Sequence, residues 1–306
     1  MNETLIKQNV FVILNFNTYK KTIYLVKKML SILPITPDQL IVVDNNSTNE
    51  SAIVLKRDLP RKTTFIESAY NGGYAYGNNI GIKKAIKTSF KYITIMNNDI
   101  DIFDDFLTPL LYSLSKNEEI AMIGPVYYNT DGTVHSYGAT NDFFRGRTKF
   151  VTTLDTIIKF NGPIIDFDWI SGAVLCFRCK LISLIGFIPE MYFLNYEEND
   201  WQQKARRKKM RISVNLKSHV VHESGGTIRH INGMQEYFML RNKIIFIRRN
   251  ANFLQKIAFY FYLTIGTIKS IMINPKNLRR IRIYLDAFTG ENRYVTSKNE
   301  KGKEKK

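Results

Sequence analysis

Two cysteines in 306 residues cannot build a disulfide framework, and they point to a reducing compartment. Cys176 and Cys179 form a lone C-x-x-C with no second pair for a zinc site, so they read as core residues. No G-x-G-x-x-G follows the first apolar run, and no G-x-x-x-x-G-K-[ST] occurs, which argues against hydride transfer and P-loop chemistry. The opening residues MNETLIKQNVFVILNF have neither the basic start nor the small-residue cleavage site of a secretory leader. The apolar run at 257–268 is shorter than the roughly 20 residues a bilayer-crossing helix requires.

The chain is 44% apolar, which places it among globular proteins. Its net charge of +17 is confined to one part. Residues 1–200 hold 20 Lys+Arg against 21 Asp+Glu (net −1), and residues 201–306 hold 24 against 6 (net +18). Such a basic block implies an anionic partner: nucleic acid, acidic lipid head groups or a phosphorylated substrate. Nucleic acid is not expected, because neither interleaved aromatics nor a recognised module accompanies the charge. Residues 297–306 read as a solvated, disordered Lys-rich tail.

Four apolar, β-branched runs fall at 10–16, 40–43, 63–66 and 92–96, spaced as in βαβ units. Helical periodicity at 20–33 and 75–89 lies between them, predicting a parallel sheet covered on both faces. Beyond residue 104 the expected elements are a strand at 121–128, loops and short hairpins over 129–168, and a strand at 169–178 followed by a short helix. A basic helix at 202–209, a strand at 211–216 and a helix from about 234 past 249 complete the pattern.

Every strand of the first half ends in polar residues: Asn15 and Asn17; Asp44 to Ser47; Asn71 with Gly72 and Gly73; and Asn97-Asn98-Asp99. In a parallel sheet these ends share the edge where ligands bind. Amides and carboxylates there suit base and ribose, and the oxygen ligands of Asp99 suit a hard cation such as Mg²⁺ or Mn²⁺. An Asx turn with a helix cap is the simpler alternative at any one of these ends. Glu197, Glu198 and Asp200 cluster behind an aromatic loop, where they raise one another's pKa as a general base requires; acids decorating a helix N-terminus would look the same. His222 could be a ligand or a satisfied loop histidine, and His135, His219 and His230 give no signal.

In order, VILNFN (12–17), VVDNNS (42–47), YNGGYAYGNNIG (70–81) and IMNNDI (95–100) resemble the N-terminal half of glycosyltransferase family 2. SGAVLCFR (171–178), GFIPEMYFLNYEENDW (186–201) and VVHESGG (220–226) resemble its acceptor half. Tyr237 with Arg241-Asn242 is similar to a motif of rhamnosyltransferase-like members. The resemblance implies an α/β, GT-A type nucleotide-binding sandwich with a mostly parallel central sheet. It implies transfer of a sugar, with inversion, from a nucleotide diphosphate donor to a glycan or lipid-linked saccharide. By motif, Asn15, Asn17, Asp44 and Ser47 would contact base and ribose; Asn71, Gly73 and Asn79 would shape the pocket floor beside Asn97 and Asn98. Asp99 and His222 would hold the cation, Glu198 would be the base with Glu197 beside it, and Trp169, Gly172, Asp200 and Arg241 would meet the acceptor. Two departures stand out. One carboxylate, Asp99, stands where members often have two, and Glu198 replaces the commoner Asp, moving the carboxylate outward by about 1.5 Å.

The expected organisation is a catalytic domain over 1–250, with a nucleotide half to about 105 and an acceptor half after it. A basic, amphipathic helical appendage follows over 251–296, expected to attach to the anionic cytoplasmic face of the cell membrane, an ordinary amphipathic helix packed on the domain being the alternative. A sugar nucleotidyltransferase is the rival enzyme, though it would open with a Gly-rich basic loop where this chain has NFNTYKK. A non-enzymatic binder of anionic partners is the other alternative.

Overall fold

The structure, a computed structural model, describes residues 2–153, 162–223 and 233–294. After a short helix α1 (Asn2–Ile6), strand β1 (Asn9–Asn15) runs through the centre of the sheet. Its side chains alternate between two cores, as the period of two in a strand requires. Phe11 and Ile13 pack with Leu25, Val26 and Met29 of α2 (Tyr19–Ile32). Val10 and Val12 pack on the other face with Ala75, Ile82 and Ala85 of α4 (Gly73–Ala85). Strands β2 (Leu40–Asp44), β3 (Thr64–Glu67) and β4 (Tyr92–Asn97) complete the parallel part, with α3 (Ser51–Asp58) between β2 and β3. The expected βαβ half is present, although the short α3 carries too little periodicity to be anticipated.

The remaining strands are β5 (Ile100–Asp101), β6 (Ile120–Tyr128), β7 (Val134–Ser136), β8 (Gly138–Asp142), β9 (Arg147–Val151), β10 (Ile164–Asp166), β11 (Val174–Arg178) and β12 (Arg211–His222). The main sheet has the order β10-β12-β6-β11-β4-β1-β2-β3, with β5 on β12 and β7 on β6, and β8 and β9 form a separate hairpin. β11 is antiparallel to both β4 and β6, while β12 is parallel to β6. Helices α5 (Leu107–Lys116) and α6 (Leu181–Ile185) cover this half.

Three boundaries differ from expectation in ways that matter. Only Val174–Arg178 of the 169–178 run is strand; its first residues form a loop beside the site. Helix α7 is Glu197–Arg207, starting five residues before the expected 202, so the acids occupy its first turn, where the helix dipole favours negative charge. β12 continues to His222 rather than ending at 216. Its end pairs antiparallel with β5, His222 opposite Ile100, which carries the histidine to the loop preceding β5.

Helix α8 (Met234–Asn250) is followed by α9 (Phe253–Ile273) and α10 (Arg279–Thr289). α10 folds back on α8: Tyr237 donates to Asp286 (2.9 Å), and Phe238 packs with Ile283. The apolar run at 257–268 is the middle of the 21-residue α9, in which only Phe259 is buried. Its length and composition would allow it to cross a bilayer, so the expectation that it is too short is corrected. Gln255, Thr264, Gly266 and Lys269 dilute the apolar signal along it. The Lys-rich tail lies outside the described residues.

Candidate active site

The ends of β1 and β2 meet in register, Asn15 beside Asp44. Asn15 donates to Asp44 (2.6 Å), and Ser47 donates to the same carboxylate through its hydroxyl (2.6 Å) and backbone N–H (2.9 Å). The Ser47 hydroxyl in turn accepts from the Asn17 backbone (2.8 Å), and the Asn17 side chain accepts from the Thr48 N–H (2.7 Å). The four residues expected at the nucleoside therefore form one bonded group, with Asn17 and Asn46 both in the left-handed region (φ 57°). Asn tolerates that conformation better than most residues, which accounts for its recurrence at these strand ends.

Asn71 and Gly73, expected at the pocket floor, stand at the start of α4. Asn71 accepts from the Gly73 N–H (3.0 Å) and from Asn45 (3.0 Å). Gly73 has φ +85°, and a Cβ there would lie 2.0 Å from the Phe193 carbonyl oxygen. Only glycine fits. Asn79 has a different role from the one expected: its amide bonds the Ile188 N–H and carbonyl and Glu190, and it is 1% exposed, so it ties α4 to the 188–190 loop.

At the end of β4 the three polar residues separate by task. Asn97 donates its backbone N–H to Ala173 (2.8 Å), joining this loop to the one before β11. The Asn98 amide bonds Thr18 (2.7 Å) and Thr22 (2.8 Å) of the first βα connection. Asp99 turns the other way, with His222 Nε2 3.5 Å from its Oδ1. That Oδ1 is buried and has no hydrogen-bond partner among the described residues. A buried acceptor left unmatched costs about 1–3 kcal/mol, and a divalent cation would remove the deficit. Carboxylate and imidazole form a donor set that such an ion accepts, so the residues present fit it. Among the described residues no cluster of three or more His, Cys, Asp or Glu side chains supplies a complete cage, and the remaining ligands would come from solvent and substrate.

Glu197 and Glu198 open α7 behind a strained loop, with Phe193, Asn195 and Tyr196 all at positive φ. Glu197 is 3% exposed and Glu198 part-buried, and the Oε2 of each is buried without a partner among the described residues. Burial pushes the Glu197 carboxyl well above the ordinary range, the Glu198 charge adding to it, and burial also raises Glu198. Gly172 abuts this helix: a Cβ there would lie 3.2 Å from Glu198 Cβ and 2.7 Å from the Tyr74 hydroxyl. Trp169 lies in the same loop, 8% exposed, its indole N–H buried and without a partner among the described residues.

Two residues expected at the acceptor are structural instead. Asp200 is fully buried, its oxygens taken by Arg249 (2.8 Å) and Asn250 (2.6 Å) of α8. Arg241 is 2% exposed and caps the end of α10 through the Gly290 and Glu291 carbonyls, with a further bond to Met191. Its neighbour Asn242 donates to the carbonyls of Tyr192, Leu194 and Asn195, which holds the strained loop in place. The Tyr237–Asn242 motif therefore supports the acidic pair from behind. His230 and residues 224–226 of the VVHESGG motif lie outside the described residues.

Residues that the sequence does not single out complete the site. Tyr74 donates to the Gly172 carbonyl (2.6 Å), while the Tyr127 hydroxyl bonds both the N–H (2.7 Å) and carbonyl (2.9 Å) of Val174. Two buried hydroxyls thus fix the loop that lies between Asp99's neighbour Asn97 and Glu198. Tyr74 stands inside the glycine-rich YNGGYAYGNN stretch, where its aromatic spacing is the available signal. Tyr127, in an apolar strand, gives none.

Glycosyl transferase family 2 matches residues 10–175. Among characterised proteins, the Low-salt glycan biosynthesis hexosyltransferase Agl10 of Haloferax volcanii is 24% identical over 76% of this chain and 74% of its own length. The dTDP-rhamnosyl transferase RfbF of Shigella flexneri is 22% identical over 69% and 71%. Two solved structures share the fold at 14% identity. GalNAc-T7 with UDP, GalNAc and Mn²⁺ superimposes with a TM-score of 0.59 over 78% of this chain, which spans about half (47%) of that one. The mannosyltransferase PcManGT of Pyrobaculum calidifontis, in complex with GDP-Man and Mn²⁺, gives 0.57 over 96% of this chain and 79% of its own. The expected GT-A fold and the expected family are both borne out: the chain belongs to glycosyl transferase family 2, and it is a glycosyltransferase.

Proposed function

We propose that the protein transfers a hexosyl or 6-deoxyhexosyl group, with inversion, from a nucleoside diphosphate sugar to a saccharide hydroxyl. One observation carries this reading. Among the described residues, buried carboxylate oxygens without partners lie at two places around one sheet edge, Asp99 near the bonded Asn15–Asp44–Ser47 group and Glu198 across the Gly172 loop. The nucleoside sits on the Asn15–Ser47 group, with Gly73 allowing close approach of backbone. A cation held by Asp99 and His222, Mn²⁺ or Mg²⁺, would offset charge on the leaving diphosphate. Glu198 takes the proton of the acceptor hydroxyl, and its raised pKa suits that task. With a panel of UDP, GDP and dTDP sugars, at least one donor is expected to release its nucleoside diphosphate in the presence of Mn²⁺ or Mg²⁺ but not of EDTA. Cation-independent release, or none from any donor, counts against the reading.

We further infer that the acceptor is lipid-linked and that α9 and α10 rest on an anionic membrane face. Leu254, Ile257, Phe261, Ile265, Ile268 and Met272 form an exposed stripe along one face of α9, and Leu278, Ile281, Leu285 and Phe288 form a second along α10. Lys269, Lys276, Arg279 and Arg282 accompany them on the surface. The opposite side of α9 is attached to the protein: Phe259 joins the core of α8, and Thr267 bonds Tyr284 of α10. A helix fixed laterally in this way suits an interfacial position better than a spanning one. The full chain should float with vesicles containing phosphatidylglycerol, and Phe261→Lys with Ile265→Lys should abolish this without unfolding the protein. Equal flotation of that variant would refute the attachment. Deleting residues after 250 is a poorer test, because it removes the partners of Tyr237 and Arg241.

A further inference from the structure

We propose that Phe150 and His135 form an aromatic platform for the acceptor saccharide, with Phe150 the ring on which a pyranose stacks. The proposal rests on the sugar-transfer reading of the site and deepens it. From His222 beside Asp99, a chain of rings leads outward. His135 meets His222 at 5.7 Å between centroids, Phe150 meets His135 at 6.3 Å, and Trp169 meets Phe150 at 5.4 Å, with planes inclined by 83°, 57° and 64°. These rings come from β12, β7, β9 and the loop before β11, so the fold alone assembles the row. Phe150 is the exposed member, at 46%. A phenylalanine presented to solvent between the buried Trp169 and the partly buried His135 offers a flat apolar surface of the kind that packs against the C–H face of a sugar.

Polar groups flank the surface as a saccharide site requires. His135 Nδ1 is bonded to Asn129 Oδ1 (3.1 Å), whose amide nitrogen is engaged with Thr133, which fixes the imidazole at the edge of the surface. At the inner end, the Trp169 indole N–H is buried and has no partner among the described residues. The hairpin carrying Phe150 is held relative to the proposed base. Asn141 and Asn199 exchange reciprocal amide bonds, both 3.0 Å, and Asn199 directly follows Glu198. The turn of the hairpin seats on α9, where a Cβ at Gly146 would lie 2.4 Å from Phe259. The donor residues Asn15, Asp44 and Ser47 stand at the ends of β1 and β2, whereas this row approaches Asp99 from the β12 side, which assigns it to the acceptor.

The chain's two tryptophans make a direct test possible. Trp201 is fully buried and bonded to the Gly186 carbonyl (2.9 Å), so a change in emission on saccharide binding reports Trp169. The protein, with Mn²⁺ and nucleoside diphosphate, is titrated with octyl glycosides of glucose, galactose, mannose, rhamnose and N-acetylglucosamine. A saturable change with at least one is expected, weakened by about tenfold or more in Phe150→Ala and retained in Phe150→Tyr. Calorimetry of nucleoside diphosphate and Mn²⁺ should be the same for all three proteins. Wild-type affinity in Phe150→Ala, or no response of the wild type to any glycoside, overturns the platform. Failure of the wild type to bind any nucleoside diphosphate would instead overturn the sugar-transfer reading.

Discussion

Glu198→Gln is expected to lower kcat for transfer by about 10²–10⁴-fold, the usual worth of a general base, while nucleoside diphosphate and Mn²⁺ bind as in the wild type. The amide keeps the shape that packs against Gly172 but cannot take a proton, so steric loss and chemical loss are separated. Donor binding is spared because the Asn15–Asp44–Ser47 group and Asp99 lie on other strands. Full turnover in this variant would move the base to Glu197. It could not move it to Asp200, whose two oxygens are held by Arg249 and Asn250. The pH profile gives a second check. Burial makes the ionised form of the acidic pair the costly one, so the base becomes competent only as pH rises past a raised pKa. The acid limb of kcat should therefore lie above the ordinary carboxylate range of about 4, and disappear from the residual activity of Glu198→Gln. Stability has the opposite sign: the contribution of the protonated pair is complete below the ordinary range and is lost as pH rises through the raised value.

Much of the nucleotide half is legible in the sequence because it is governed by local rules. Apolar runs of strand length that end in Asn, Asp and Gly match parallel strands reaching a ligand-binding edge, and the register of Asn15 with Asp44 follows once the strands are parallel. The acceptor half depends on non-local contacts that a motif does not disclose. Asp200 and Arg241 have the residue types of a binding site, but each is matched by buried partners from distant segments. In sequence the acids at 197–200 fit a base cluster and a helix N-terminus equally; the left-handed Tyr196 starts α7 there, so they are both buried carboxylates and its first turn. His135 carries no signal by itself: the Asp131-Gly132 turn between β6 and β7 marks a hairpin, but not that β7 brings this histidine to His222 of β12.

Asp99→Asn is expected to remove cation-dependent donor turnover, by on the order of 10²–10³-fold, as for deletion of one group that offsets charge in a transition state. Its described neighbours do not replace it: the Asn98 amide is bonded to Thr18 and Thr22, Asn97 supplies an amide rather than a charge, and the Glu223 carboxylate is paired with Lys21. His222 alone would be a single ligand. Stability distinguishes this role from a structural one. In the wild type without cation, Asp99 Oδ1 is a buried acceptor with no donor, and His222 is its 3.5 Å neighbour. Replacing the charged oxygen with a neutral amide lessens the burial cost, so the variant without cation should melt no lower than the wild type. Adding Mn²⁺ should then raise the melting temperature of the wild type and leave Asp99→Asn unchanged. A variant that melts lower without cation, yet still responds to Mn²⁺, would make Asp99 a structural residue of the loop and move the ion elsewhere.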